Sequence, residues 1–375
     1  MTDLFRPFDL SGLNLQNRIV MAPMTRARAS NDVADELTAL YYTQRATAGL
    51  IVSEGTSISR EGRGYLFNPG IYSAAQIDGW KLVTDSVHAI GGHIFAQLWH
   101  VGRVSHPSIQ DDGKLPVSPS SQRAKDSAAF GYNEKGEPDR VEPPAPRQLR
   151  TDEVERIVED FAQAAENAIQ AGFDGVEIHG ANGYLHEQFL NPGVNDRTDK
   201  YSGDLLENRL RFTVEVIDAV VKRIGAHRVG IRISPYGQLF DMPLYDQIDE
   251  TYLALAEEIG KRHLAYVHVM NQDSFERIDR AVQGESGGGL FGLLKQIKPK
   301  LGATALILAG GLSRQRAEEL ISEGLIDLAG FGQAFISNPD LVARLEHGWP
   351  LTPADRDTFY GGDERGYIDY APHKG

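Results

Sequence analysis

The sequence predicts an α/β protein built as a single (β/α)8 barrel. Three observations carry that expectation. Eight short apolar runs recur along the chain, most of them followed by a stretch with helical periodicity. The runs are near-continuous in Val, Ile, Leu and Ala and do not alternate, as strands of a parallel sheet buried on both faces must be. None is followed by the glycine-rich turn of a dinucleotide-binding sheet, which places a doubly wound fold second. A length of 375 residues suits one barrel with insertions as well as it suits two or three ordinary domains.

Taken in order, strands are expected at 18–22 (RIVMA), 50–54 (LIVSE), 93–98 (HIFAQL) and 174–178 (DGVEI). Four more follow at 228–233 (RVGIRI), 265–269 (AYVHV), 305–309 (ALILA) and 326–330 (IDLAG). Between them lie helical patterns at 74–90, 205–224, 249–261, 314–323 and 338–346. One more opens at Thr151, a candidate N-cap, with Val154, Ile157, Val158 and Phe161 on one face. Two stretches exceed the bare repeat. Residues 100–150 hold seven of the 18 prolines and follow the third strand; they read as a lid or insertion within one domain spanning 1–375. Residues 271–289 form a polar, Gly-rich stretch after the sixth strand. Both leave C-terminal strand ends, the face on which barrel active sites are built.

Composition excludes several functions. Lys and Arg number 38 against 52 Asp and Glu, a net charge of −14, which repels nucleic-acid backbones and anionic lipid. The absence of cysteine removes disulfides, iron–sulfur clusters, thiolate zinc sites and thiol nucleophiles. With no basic leader and no long apolar run, the chain reads as soluble and cytoplasmic. A GxGxxG match at 287–292 follows a polar loop, not a strand, and reads as a flexible loop. His88, His93, His100 and His106 straddle different elements, so no metal is expected there.

In a barrel, the polar residues near the strand ends share one site: Pro23, Met24 and Thr25, Glu54 and Gly55, Gln97, His179, Arg232, Gly310 and Gly311, Gly332 and Gln333. Glycines after strands seven and eight suit a phosphate, although an ordinary turn needing positive φ explains them equally when taken alone. Arg232 inside an apolar strand demands an anion, either a ligand or a carboxylate on a neighbouring strand. His179 and Asn182, three apart in a tight turn, can aim two donors at one oxygen, while Tyr184 can hold a proton. A turn signal at Asn182-Gly183 with a satisfied strand-end histidine is the bland alternative.

In sequence order, the chain carries NRIVMAPMTR at 17–26, SEGT at 53–56, AQLWHVGR at 96–103 and HGANGY at 179–184. NDRTD at 195–199, ENR at 207–209, Arg232, SNPD at 337–340 and TFYGG at 358–362 come after. Together these resemble the Old Yellow Enzyme family of FMN-dependent ene-reductases, from about Leu4 to Tyr370. The resemblance implies a barrel holding FMN noncovalently, with NAD(P)H as hydride donor. It implies that Ala22, Pro23, Met24, Thr25, Gly55, Gln97, Arg232 and Phe359 line the flavin, and that Ala309, Gly310, Gly311, Gly332 and Gln333 take its phosphate. Hydride would pass from flavin N5 to the β-carbon of an alkene activated by a carbonyl or nitro group, and nitrate esters would fit the same pocket. His179 and Asn182 would bind the activating oxygen and Tyr184 would protonate the α-carbon. Tyr65, Trp99, Phe240 and Tyr360 would form the substrate wall. Thr25 stands where one branch of the family has cysteine, so the chain resembles the main branch; separately, a monomer or homodimer is expected. Gln333 stands where many members carry a basic residue, so weaker FMN retention is expected. Two alternatives remain at this level: a barrel isomerase or aldolase acting on a phosphorylated substrate, and a noncatalytic flavin-binding protein.

Overall fold

The computed structural model describes residues 3–272 and 289–374. Eight parallel strands close into a barrel. They are β1 (Ile19–Met21), β2 (Leu50–Ser57), β3 (Ile94–Trp99), β4 (Gly175–Gly180), β5 (Val229–Ile233), β6 (Tyr266–Met270), β7 (Ala305–Ala309) and β8 (Leu328–Phe331). Each pairs with the next, and β8 returns to β1 with Phe331 opposite Met21. Every strand residue is buried. Helices cover the outer face and side chains fill the inner one, which is the physical reason the strands read as continuous apolar runs.

The outer ring consists of α1 (Glu36–Thr43), α2 (Ala74–His88), α3 (Thr151–Gln170), α4 (Leu206–Ile224), α5 (Ile248–Arg262), α6 (Gly289–Ile297), α7 (Arg314–Ser322) and α8 (Leu341–His347). Their apolar stripes face the strands; α3, for example, buries Val154, Ile157, Phe161, Ala165 and Ala168. The main core lies in this layer between helices and strands. A second cluster closes the N-terminal end of the barrel, where a hairpin of Phe8–Leu10 and Leu13–Leu15 places Leu10 and Leu15 beneath Val20, Leu50 and Tyr266.

Several sequence expectations are corrected. Strand β2 runs on to Ser57, with a register irregularity against β3 between Val52 and Gly55, so Glu54 and Gly55 lie inside it and not beyond it. Arg150, not Thr151, occupies the N-cap of α3; its N–H is accepted by Glu153 Oε2 at 2.8 Å, while Thr151 Oγ1 donates to Asp199 at 2.6 Å. The helix expected from 338 begins at Leu341, because Asn338 turns its amide to Ala334 O and Thr352. Gly289 to Gly292 form the first turn of α6 and are not loop; positions 287 and 288, like most of the stretch 271–289, lie outside the described residues. Residues 100–150 carry an antiparallel hairpin, Ala129–Tyr132 with Pro138–Val141. Leu66 N–H donates to Phe130 O at 2.8 Å, which seats that hairpin beside Tyr65.

Candidate active site

The strand register collects most of the selected residues at the C-terminal mouth. Gly55 on β2 stands opposite Gln97 on β3, which stands opposite Glu177 on β4. One layer higher, His179, Arg232 and His268 stand abreast on β4, β5 and β6. Gln97 Nε2 donates to Glu177 Oε1 at 2.8 Å, and His268 Nδ1 lies 2.8 Å from Oε2. Burial alone would raise the Glu177 carboxyl, but His268, Arg232 and Gln97 outweigh it and hold it below its ordinary range. Burial and Arg232 together push His268 down against the pull of Glu177. Glu177 is thus the anion, and His268 a neutral donor through Nδ1–H. Because the Gln97 amide nitrogen faces Glu177, its oxygen is left to accept.

Arg232 is coupled through space to the Glu177 carboxylate on the neighbouring strand but makes no bond to it. Its guanidinium is buried and forms no ion pair among the described residues; Nη2 lies 3.2 Å from Met270 Sδ, and Nε has no partner. A buried cation with an orphaned donor is costly unless an anion completes it.

The turn after β4 carries three groups of complementary chemistry. Burial, with Arg232 and two other histidines adding to it, drives the His179 imidazole well below its usual range, so it is neutral. Ala181 N–H donates to its Nδ1 at 3.4 Å, which leaves Nε2–H as the outward donor. Asn182 Oδ1 accepts from Gln272 Nε2 at 3.1 Å, so the Nδ2 amide remains to donate. Tyr184 hydroxyl lies 3.3 Å from that of Tyr65, and burial pushes it well above the ordinary phenol range, so it keeps its proton. The Tyr184 ring sits 4.8 Å from Trp99, 5.1 Å from His179 and 5.2 Å from Phe240, centre to centre.

The remaining residues are placed as follows. Ala22 packs with Met270 and Ala309. Met24 lies beside Gly332, where a Cβ would meet its sulfur at 3.5 Å. Thr25 is half-buried next to Arg26, whose N–H, like that of Ala27, is held by the buried Glu54 carboxylate at 3.1 and 3.2 Å. Gly55 admits the Trp99 ring, since a Cβ there would fall 2.3 Å from it. Gly310 has φ 113°, and a Cβ would strike Asn271 O at 2.0 Å; only glycine fits. Ser313 caps α7 behind Gly310 and Gly311, and the exposed Gln333 opens a short helix, Gln333–Ser337, that is buried from Phe335 onward. Tyr65 stacks on Trp99 at 5.4 Å; the exposed Tyr360 of the C-terminal segment acts on Tyr65 through space, and Phe359 packs edge-on against Tyr360. Of the histidines set aside earlier, His88 and His93 share Asp174, His106 caps Ser108 and His100 is buried.

A family model described as the NADH:flavin oxidoreductase / NADH oxidase family matches residues 3–352. The chain belongs to this family, that of the Old Yellow Enzymes. It is 42% identical over 372 residues to 12-oxophytodienoate reductase 1 of Oryza sativa subsp. japonica, covering 98% of this chain and 92% of that protein. To 12-oxophytodienoate reductase 7 of the same organism it is 43% identical over 381 residues, covering 98% and 94%. The solved structure of morphinone reductase superposes with a TM-score of 0.94 at 43% identity, over 99% of this chain and 96% of that one. Morphinone reductase in complex with tetrahydroNAD gives 0.92 at the same 43% identity, over 100% and 98%. This Old Yellow Enzyme is therefore an NAD(P)H-dependent flavin oxidoreductase with FMN as its cofactor, and the isomerase alternative falls away.

The residues present fit that cofactor. The Arg232 guanidinium with its orphaned Nε matches an anionic ring edge, and the Gln97 oxygen an imide N–H. Sequence reasoning passed over Glu177, Glu187, Ser234, His268 and Gln272, which orient the groups it selected. One usable signal existed: Glu177 interrupts an apolar strand as Arg232 does, so the same logic would have singled it out as well.

Proposed function

We propose that this flavin oxidoreductase reduces the C=C bond of alkenes activated by a carbonyl or nitro group. One observation carries the reading: two outward donors, His179 Nε2–H and Asn182 Nδ2, share a turn with a phenol that burial keeps protonated. When bound, FMN supplies the redox chemistry, taking hydride from a reduced nicotinamide and giving it to the β-carbon. Pro23, Met24, Thr25, Gly55, Gln97 and Arg232 would hold the flavin ring, with Phe359 and Ala22 at its edges. Ala309, Gly310, Gly311, Gly332 and Gln333 would hold the phosphate.

The chain's own groups then do three things. His179 and Asn182 bind the activating oxygen and stabilise the negative charge that grows there, which is worth most in the transition state. Tyr184 delivers a proton to the α-carbon and is reprotonated from solvent. Tyr65, Trp99, Phe240 and Tyr360 exclude water from the reacting carbons, with the 129–141 hairpin as a lid beside Tyr65.

The test is optical. Purified protein is expected to be yellow, to bleach under anaerobic NADPH or NADH, and to regain its colour when cyclohexenone is added. Protein that bleaches but stays bleached with an enone, a nitroalkene and a maleimide would refute the alkene reading.

A further inference from the structure

We propose that Glu187 is a positioning residue for the His179–Tyr184 turn: through its own carboxylate and the Ser234 hydroxyl it fixes the backbone from which Asn182 and Tyr184 project. This role rests on the alkene-reductase reading above. Asn182 and Gly183 have φ of 57° and 76°, two successive left-handed residues, so neither N–H can enter regular structure. Asn182 N–H donates to Ser234 Oγ at 2.8 Å, and Ser234 Oγ donates to Glu187 Oε2 at 2.9 Å. Gly183 N–H donates to the same oxygen at 2.6 Å. One carboxylate thus takes up both N–H groups of the turn, one directly and one through a single hydroxyl.

The surroundings argue against a plain packing role. Glu187 is 4% exposed and has no ion pair among the described residues, so its charge is buried at considerable cost. Facing it are the Tyr252 hydroxyl at 3.5 Å from Oε1, the Tyr245 phenol, and a small cavity of about 10 Å3 also lined by Asn191 and Tyr236. The charged groups behind these are Asp249, bonded to Tyr236, and Arg209, whose guanidinium lies 5.8 Å from the Tyr245 ring centre. His186 on the same short helix turns instead to Thr213. Packing alone would be served as well by a neutral side chain. Burial raises the Glu187 carboxyl to about 7, against the restraint of its three hydrogen-bond donors. Ionised, it accepts charge-assisted bonds that hold the turn; protonated, it accepts weaker ones.

The experiment measures kcat and KM for cyclohexenone from pH 6 to 8 in the FMN-loaded wild type, Glu187→Gln and Ser234→Ala, with flavin content as the check on folding. Wild-type kcat/KM is expected to rise about tenfold through a step near pH 7, the difference between charge-assisted and neutral bonds. Glu187→Gln is expected to lose the step and stay near the wild-type low-pH level. Ser234→Ala is expected to raise KM about tenfold with a smaller change in kcat. A step retained in Glu187→Gln, together with an unaltered KM in Ser234→Ala, overturns the role of Glu187 while leaving alkene reduction intact. A flavin-loaded wild type that does not reduce the enone overturns both.

Discussion

Tyr184 is held by ring contacts on three sides, and among the described residues its hydroxyl bonds only that of Tyr65, itself raised to about 12 mainly by burial. Tyr184→Phe keeps the packing and removes the proton. Reduction of cyclohexenone is therefore expected to slow by roughly 10²–10⁴-fold, the usual worth of a placed general acid, while flavin content and thermal stability stay near wild type. Stopped-flow reoxidation of the reduced enzyme by the enone measures it; an unchanged rate would mean that water protonates the product. At this scale the sequence was informative wherever a residue type clashed with its setting. Arg232 in an apolar strand and His179 at a strand end announced themselves. Glu187 did not, because an acidic residue in a short polar helix looks solvated until Ser234, from another strand end 47 positions away, is placed against it.

The elements themselves were legible for a different reason. Parallel strands buried on both faces leave apolar runs too short for a buried helix and bounded by polar turns, so all eight were located within a few residues of their bounds. The C-terminal segment was legible only as a motif, since it has no periodicity. It is strapped to the barrel by buried arginines: Arg26 donates to Phe359 O at 2.9 Å and Gly366 O at 2.7 Å. Arg28 donates to Thr358, Asp363 and Arg365 carbonyls at 2.9 to 3.0 Å. Both lie over the Tyr367 ring. Arg28→Leu removes three charge-assisted bonds and is expected to cost roughly 2–4 kcal/mol. Because the same segment carries Phe359 and Tyr360, the KM for a bulky enone should rise more than kcat falls. Limited proteolysis should also cut near 360 sooner. A variant that melts lower but keeps the wild-type KM would show that the strap stabilises the barrel without shaping the site.

For the molecule as a whole, the buried titrating groups set the pH range in which the fold is stable. His179 and His268 are held below their usual range chiefly by burial, His100 at about 4 and His186 at about 3. A histidine with a depressed folded pKa contributes stability that is fully present above its unfolded value, about 6.5, and is lost as pH falls towards the folded value. Glu54 and Glu187, both raised to about 7 by burial, act in the opposite sense: their contribution is present below about 4.5 and lost as pH rises through 7. His93, raised by Asp174, sides with them. His106, lowered by burial, joins the first set, and Asp32 and Asp160, raised by burial, join the second, so on acidification the histidines weaken the fold while the raised groups oppose them. His186 is the cleanest probe. It packs between Phe161 and Phe212 and bonds Thr213 at 3.2 Å. His186→Asn keeps an acceptor for Thr213 and removes one proton from the unfolded-state balance. Urea unfolding free energies at pH 5 and pH 6 should therefore differ by about 1.4 kcal/mol less in the variant than in the wild type, one proton per pH unit. Equal slopes would mean that His186 takes up a proton in the folded barrel, and that burial beneath the site is looser than the packing of these rings implies.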